Sequence, residues 1–144
     1  MRDSQIAEAA RALHPALTFM DDHFAESLNI DQIAGRAHFS RYHFIRLFRR
    51  LFHETPHQYL TRKRIEKAKE LLALDDLSVT EVCFTVGFES LGSFSALFRR
   101  MAGWSPSVYR ARVLEQRRAP LKFIPHCFVV MHGLRPAPQM SNFQ

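Results

Sequence analysis

Four stretches of the chain place apolar side chains at helical spacing, and they come as two matched pairs. Phe44, Leu47, Phe48 and Leu51 stand at i, i+3, i+4 and i+7, and Phe94, Leu97, Phe98 and Met101 repeat that spacing. Each set is the buried stripe of an amphipathic helix. Ahead of the first lies a shorter apolar face, Ile30, Ile33, Ala34 and Ala37, opened by Asn29 with Gln32 three residues on. Ahead of the second lie Val79, Val82, Cys83 and Val86, opened by Ser78 with Glu81. Both openings carry the reciprocal side-chain-to-backbone pattern that starts a helix. His38-Phe39 and Gly87 mark turns, and Ser40 is placed to cap the longer helix of the first pair.

The matching is a true internal repeat. At a shift of 50 positions, Ser40 falls on Ser90, Phe44 on Phe94, Leu47 on Leu97 and Phe48 on Phe98. Arg49-Arg50 fall on Arg99-Arg100, Pro56 on Pro106, Tyr59 on Tyr109 and Arg62 on Arg112. Ordinary residue usage would give roughly one or two identities in so short a window. Upstream the shift is 49, pairing Ile30 with Val79, Ile33 with Val82 and Phe39 with Phe88, so one extra residue enters the second copy near Glu89. Two short helices around a tight turn make a helix-turn-helix, whose second helix is the one that enters a DNA groove. Between the copies a helical stretch opens at Thr55-Pro56 and runs through Tyr59, Leu60, Ile65, Ala68, Leu71 and Leu72. At 1.5 Å per residue it spans roughly 27 Å, against roughly 34 Å for one turn of B-DNA. Before the first copy, Ile6, Leu13, Leu17, Met20 and Phe24 continue a helical stripe, with Pro15 as its start or a bend.

The expected fold is therefore all-α: two helix-turn-helix subdomains joined by a long linker helix, with a short irregular C-terminal tail. The boundaries fall at 1–54 for the first helix and first helix-turn-helix and at 55–75 for the linker. They fall at 76–118 for the second helix-turn-helix and a terminal helix, and at 119–144 for the tail. In the tail, Pro120, Pro125, Pro136 and Pro138 break any helix, while Lys122-Phe123-Ile124 and Cys127 to Met131 suit short strands or an apolar strip. Such a strip either covers part of the core or serves self-association through residues 119–144.

Charge sharpens the reading. The chain of 144 residues carries +6, but residues 36–69 alone hold ten basic against two acidic side chains, and residues 99–122 hold seven against one. Residues 1–35 and 70–98 are acidic. Positive potential gathered in two blocks, each beside a recognition helix, points to a polyanion. An apolar fraction of 47% excludes global disorder. The longest apolar run, Cys127 to Met131, is too short to span a bilayer, and the N-terminus lacks the apolar core of a secretory signal. Cys83 and Cys127 form neither a disulfide framework nor a zinc pattern, so a reduced cytoplasm is expected. The eight histidines form no tetrahedral ligand set, and no catalytic triad or phosphate-cradling loop is present. No cofactor, no metal and no enzymatic activity are expected.

The sequence also resembles the AraC/XylS family of bacterial transcription regulators over about residues 15–112. The likeness is carried by Arg64-Ile65-x-x-Ala68 with Leu71-Leu72, by Val82 to Val86 and by Gly87-Phe88. It continues through Phe94-x-x-x-Phe98-Arg99-Arg100, Gly103 and Ser105-Pro106-x-x-Tyr109-Arg110. The resemblance implies two helix-turn-helix subdomains on an asymmetric DNA site and activation through contact with RNA polymerase. With no room for a sensor domain, it also implies a stand-alone DNA-binding form.

Helical phase assigns the DNA contacts. On the first recognition helix (about 40–52) the outward positions offer Arg46 for a bidentate contact to guanine and Ile45 for a thymine methyl. Tyr42, where the family often has a large aromatic, is placed for base edges or sugar. On the second (about 90–101) the outward set is Leu91, Gly92, Ser95 and Ala96, with little hydrogen-bonding capacity, and Ala96 stands where the family often has an arginine. Arg41, Arg49, Arg50, Arg62, Arg99, Arg100, Arg110 and Arg112 are assigned to phosphates, which fix register without specifying sequence. The first helix is thus expected to dominate. The weak second helix leaves open a competing class, a protein-interaction adaptor that keeps the fold but binds DNA only non-specifically.

Overall fold

A computed structural model describes residues 2–118 as helix throughout, apart from the connecting turns, and no strand occurs among the described residues. The elements are α1 (Asp3–Asp22), α2 (Ile30–Arg36), α3 (Arg41–Phe52), α4 (Pro56–Leu74), α5 (Val79–Thr85), α6 (Leu91–Ala102) and α7 (Pro106–Arg118). The chain divides into two units, Met1–Arg110 and Ala111–Gln144. The first holds both helix-turn-helix copies. Of the second, only the latter part of α7 lies among the described residues, and the expected tail over 119–144 lies outside them.

The capping chemistry read from the sequence sets the helix starts. The Asn29 side chain accepts from the Asp31 amide at 2.8 Å while Gln32 reaches back to the Asn29 amide at 3.4 Å. Ser78 and Glu81 close the same box on α5 at 3.1 and 2.7 Å, and these hydrogen bonds hold the Glu81 carboxyl below its ordinary range. Ser40 and Ser90 cap α3 and α6. Thr55 and Gln58 form a further box ahead of Pro56, which the sequence reading missed. Such caps are worth about 1 kcal/mol each. Pro15 neither starts nor ends a helix, because α1 runs unbroken from Asp3 to Asp22 around it.

Two hydrophobic cores result, one for each copy. Leu13, Ala16 and Met20 of α1 pack with Ile33, Ala34, Phe44, Phe48, Tyr59 and Leu60. Ile65, Ala68 and Leu72 pack with Val82, Cys83, Val86, Phe94 and Phe98. The single helix α4 thus feeds the first core from its opening turns and the second from its later ones. Two members of the expected stripes lie outside the cores. Ile6 is 41% exposed because α1 outruns the body, and of residues 2–12 only Ala9 is even half-buried. Met101 is 42% exposed: its counterpart Leu51 packs on the first core, whereas Met101 lines an open groove beside His57, Gln58 and Thr61.

The turns repeat as well. Gly103 and its counterpart His53 both end a helix in the left-handed region, at φ 88° and 57°. Histidine takes that conformation at modest cost. Gly87 and its counterpart His38 are also left-handed, at φ 98° and 59°, the second of which was not anticipated. Only at Gly87 does the missing side chain matter further, because a Cβ there would lie 2.5 Å from the Ala25 carbonyl oxygen.

Gly92 is the opposite case, lying inside α6 with nothing within 4 Å of an added Cβ. Gly92→Ala, at the second position of α6, is therefore expected to stabilise the free protein by about 0.5 kcal/mol, below the mid-helix value. Urea denaturation would show it as a raised midpoint with an unchanged slope.

Candidate nucleic-acid interface

Because Phe44 and Phe48 are locked into the first core, α3 must turn its opposite face outward. Tyr42 stands 79% exposed, Arg46, Arg49 and Arg50 are exposed beside it, and Ile45 is half-buried between them. These five residues line one shallow depression, so the structure brings the base-reading candidates of α3 together. The arrangement offers a flat phenol, a branched aliphatic surface and three guanidinium groups along about two turns of helix. Such a surface suits the edges and phosphates of a major groove.

The α6 face is held out in the same way by Phe94 and Phe98. Leu91 is 41% exposed, Gly92 and Ala96 are exposed, and Ser95 is half-buried. Hydrogen-bonding groups are scarce until Arg99 and Arg100 at its C-terminal end. The asymmetry between the two helices read from the sequence is thus a property of their exposed faces.

The eight arginines assigned to phosphates do not share one environment. Among the described residues, no side-chain hydrogen bond or ion pair engages Arg49, Arg50, Arg99 or Arg100, and the same holds for Arg46. Arg41 is already paired with Asp31 of α2 through two hydrogen bonds, one at 2.9 Å and a second from its other nitrogen. That pairing holds the Asp31 carboxyl below its usual range. Arg62 lies between Glu54 at 2.8 Å and Glu66 at 2.9 Å, with its guanidinium 5.1 Å from the Tyr59 ring centre. Arg110 donates to the backbone carbonyls of Leu72, at 3.1 Å, and Leu77, beside Asp75. Arg112 is exposed on α7. Helical phase places a side chain on a face, but whether an acidic group or carbonyl across the fold claims it is a tertiary fact.

One arginine carries a structural role the sequence reading did not assign. Arg64 of α4 donates to the carbonyls of Phe24, at 2.6 Å, and Glu26, at 2.8 Å, between α1 and α2. Arg110 makes the matching clamp between α4 and α5. The two clamps sit one helical turn apart in the repeat, so alignment by identity does not pair them.

Comparisons with known proteins agree with this geometry. Residues 33–112, more than half of the chain, match the family model described as a helix-turn-helix domain. The chain is 40% identical over 98 residues to the HTH-type transcriptional activator RhaS of Escherichia fergusonii, covering 68% of this chain and 35% of that one. Against RhaS of Escherichia coli O1:K1 it is 36% identical over 110 residues, covering 74% and 40%. The chain therefore spans between a third and two-fifths of the length of these relatives. Among solved structures, the DNA-binding domain of the global transcriptional factor AdpA, in complex with a target DNA, superposes with a TM-score of 0.67 at 36% identity. That match covers 76% of this chain and 96% of that one. An AraC-type regulator from Chromobacterium violaceum gives 0.69 at 28% identity, covering 74% and 96%. With its repeated helix-turn-helix, shared linker helix and outward arginine faces, this chain belongs to the AraC/XylS family and carries that family's two-part DNA-binding domain.

Proposed function

We propose that this protein is a sequence-specific regulator of transcription that binds duplex DNA by inserting α3 and α6 into successive major grooves, with α3 dominant. The observation that carries the reading is the distribution of uncommitted charge. Arg46, Arg49, Arg50, Arg99 and Arg100 all project from the two recognition helices, while Arg41, Arg62, Arg64 and Arg110 are bonded within the fold. Guanidinium groups without a partner among the described residues form two clusters joined by α4, whose 19 residues span about 28 Å at 1.5 Å per residue, comparable to the roughly 34 Å of one duplex turn. On this reading Arg46 contacts guanine, Ile45 a thymine methyl and Tyr42 a base edge or sugar. Leu91, Gly92, Ser95 and Ala96 approach the second groove, and the free arginines hold phosphates. Arg41 would have to exchange Asp31 for a phosphate to join them, and Arg62 its two glutamates. The relatives named as activators support activation as the regulatory outcome, with RNA polymerase as the second partner and no catalytic step. A hydroxyl-radical footprint on a bound duplex tests the geometry, with two protected patches on one face, about one helical turn apart, as the expected result.

Phosphate contacts and base contacts separate by their salt dependence. Arg50→Ala is expected to weaken binding to every duplex by a similar factor and to lower the slope of log affinity against log salt by about 1. Titrations of one selected and one scrambled duplex at four salt concentrations check it. The adaptor reading has one supporting feature, the nearly apolar outer face of α6. It predicts equal affinity for the two duplexes.

A further inference from the structure

The two cores are separate and share only α4, so the angle between α3 and α6 depends on that helix and on the contacts that bridge the copies beside it. Between the copies lies a groove of about 520 Å³, bordered by Leu28, Leu60, Arg64, Phe88, Glu89 and Ser93. Beside it the Gly87 turn of the second copy comes against the backbone of the first. Arg64 stands on α4 where its buried residues change over from the first core (Tyr59, Leu60) to the second (Ile65, Ala68). Its guanidinium grips the Phe24 and Glu26 carbonyls of the first copy at 2.6 and 2.8 Å. Across the groove, beyond ion-pair distance, stands Glu89, the residue by which the second copy is longer than the first, and its charge favours the guanidinium cation. Beside it the Gly87 turn of the second copy sits so close to the Ala25 backbone, between those same two carbonyls, that no Cβ fits. The repeat breaks its own symmetry at the point where the two copies touch.

We propose that Arg64, with Gly87 seated on Ala25 and Glu89 opposite, is a positioning joint that fixes the separation and rotation of the two recognition helices. It thereby sets the half-site spacing the protein accepts. None of these residues lies on the outward face of α3 or α6. Arg64 is half-buried, and its bonded nitrogens are directed at the backbone carbonyls between α1 and α2. A guanidinium suits the task because its rigid fork can hold two carbonyls at once while its charge is drawn toward the carboxylate across the groove, which an aliphatic side chain cannot do. Moving one half-site by a single base pair shifts it by about 3.4 Å and rotates it by about a tenth of a turn. A rigid joint would reject that displacement, and a loosened one would absorb it. The inference rests on the two-groove reading above.

The experiment uses a bipartite duplex selected by the wild-type protein, two versions with one base pair added or removed between the half-sites, and a duplex keeping only the α3 half-site. Wild type is expected to discriminate against the altered spacings by about tenfold or more, the size of one lost base-pair match. If wild type shows no spacing preference, the two-groove reading fails and the joint falls with it. With the preference established, Arg64→Met is expected to lose most of it and about tenfold in affinity for the parent duplex, while the half-site affinity stays within about twofold. Gly87→Ala attacks the joint from the other copy and is expected to do the same. Preference retained in both variants would overturn the proposal. So would half-site affinity falling in step with the bipartite affinity, since Arg64 and Gly87 would then serve folding alone.

Discussion

Phe48→Ala is expected to cost about 3–5 kcal/mol of folding stability, the largest loss from any single substitution considered for this protein. Phe48 is fully buried and is the hub of the first core. Its ring centre lies 5.7 Å from Phe44, 4.6 Å from Phe52 and 5.5 Å from Tyr59, the last edge-on at 84°. Truncation removes the transfer free energy of the ring and leaves a cavity whose walls belong to different helices, so collapse to fill it is limited. Small domains hold only about 5–15 kcal/mol in total, so the variant should be poorly populated as folded protein at body temperature. Its counterpart Phe98, 5.6 Å from Phe94 and 5.3 Å from Tyr109 at 76°, should lose a comparable amount. Urea titration followed by helicity checks both, and a loss below about 1.5 kcal/mol would contradict the packing described.

Arg46→Ala is expected to cost about 1–3 kcal/mol on the preferred duplex, a five- to 150-fold loss, and little on random DNA. Arg46 is exposed at the centre of the α3 face, between Tyr42 and Arg50, and no internal partner among the described residues competes for it. A bidentate pair to guanine O6 and N7 is worth that much because the wrong base leaves both donors unmatched. The variant should also relax the base preference at one position while leaving the salt slope nearly unchanged. An equal loss on every duplex would reassign Arg46 to the phosphates. The remedy for a misreading is specific, since Arg50→Ala is expected to show that second behaviour.

Much of this molecule is legible in its sequence because its elements are local. Capping pairs such as Ser78 with Glu81, and apolar stripes such as Phe44 to Leu51, are decided within one or two helical turns. The internal repeat then supplied the architecture without any knowledge of contacts. What the sequence hid is what depends on distant partners. Arg62 and Arg110 look like phosphate ligands by phase and charge, but Glu54 and Glu66 claim one and the Leu72 and Leu77 carbonyls the other. Met101 has the right phase for burial, yet it falls where α4 leaves a groove. His38 was hidden for a different reason, since its left-handed backbone shows only through alignment with Gly87 across the register change. Arg64 stood within the family pattern without a role until the carbonyls it grips were in view.

The central claim is that two recognition helices of unequal strength read a defined duplex. Selection of bound duplexes from a random pool, followed by titration of the winner and a scrambled control across salt concentrations, tests it most directly. The expected result is a motif covering two adjacent major grooves, with stronger base preference in one half. The winner should be held at least about a thousandfold tighter than the control at physiological salt. Failure of any motif to emerge, with winner and control binding alike and both decaying with salt, would contradict the claim and reduce the two arginine clusters to a non-specific electrostatic footprint.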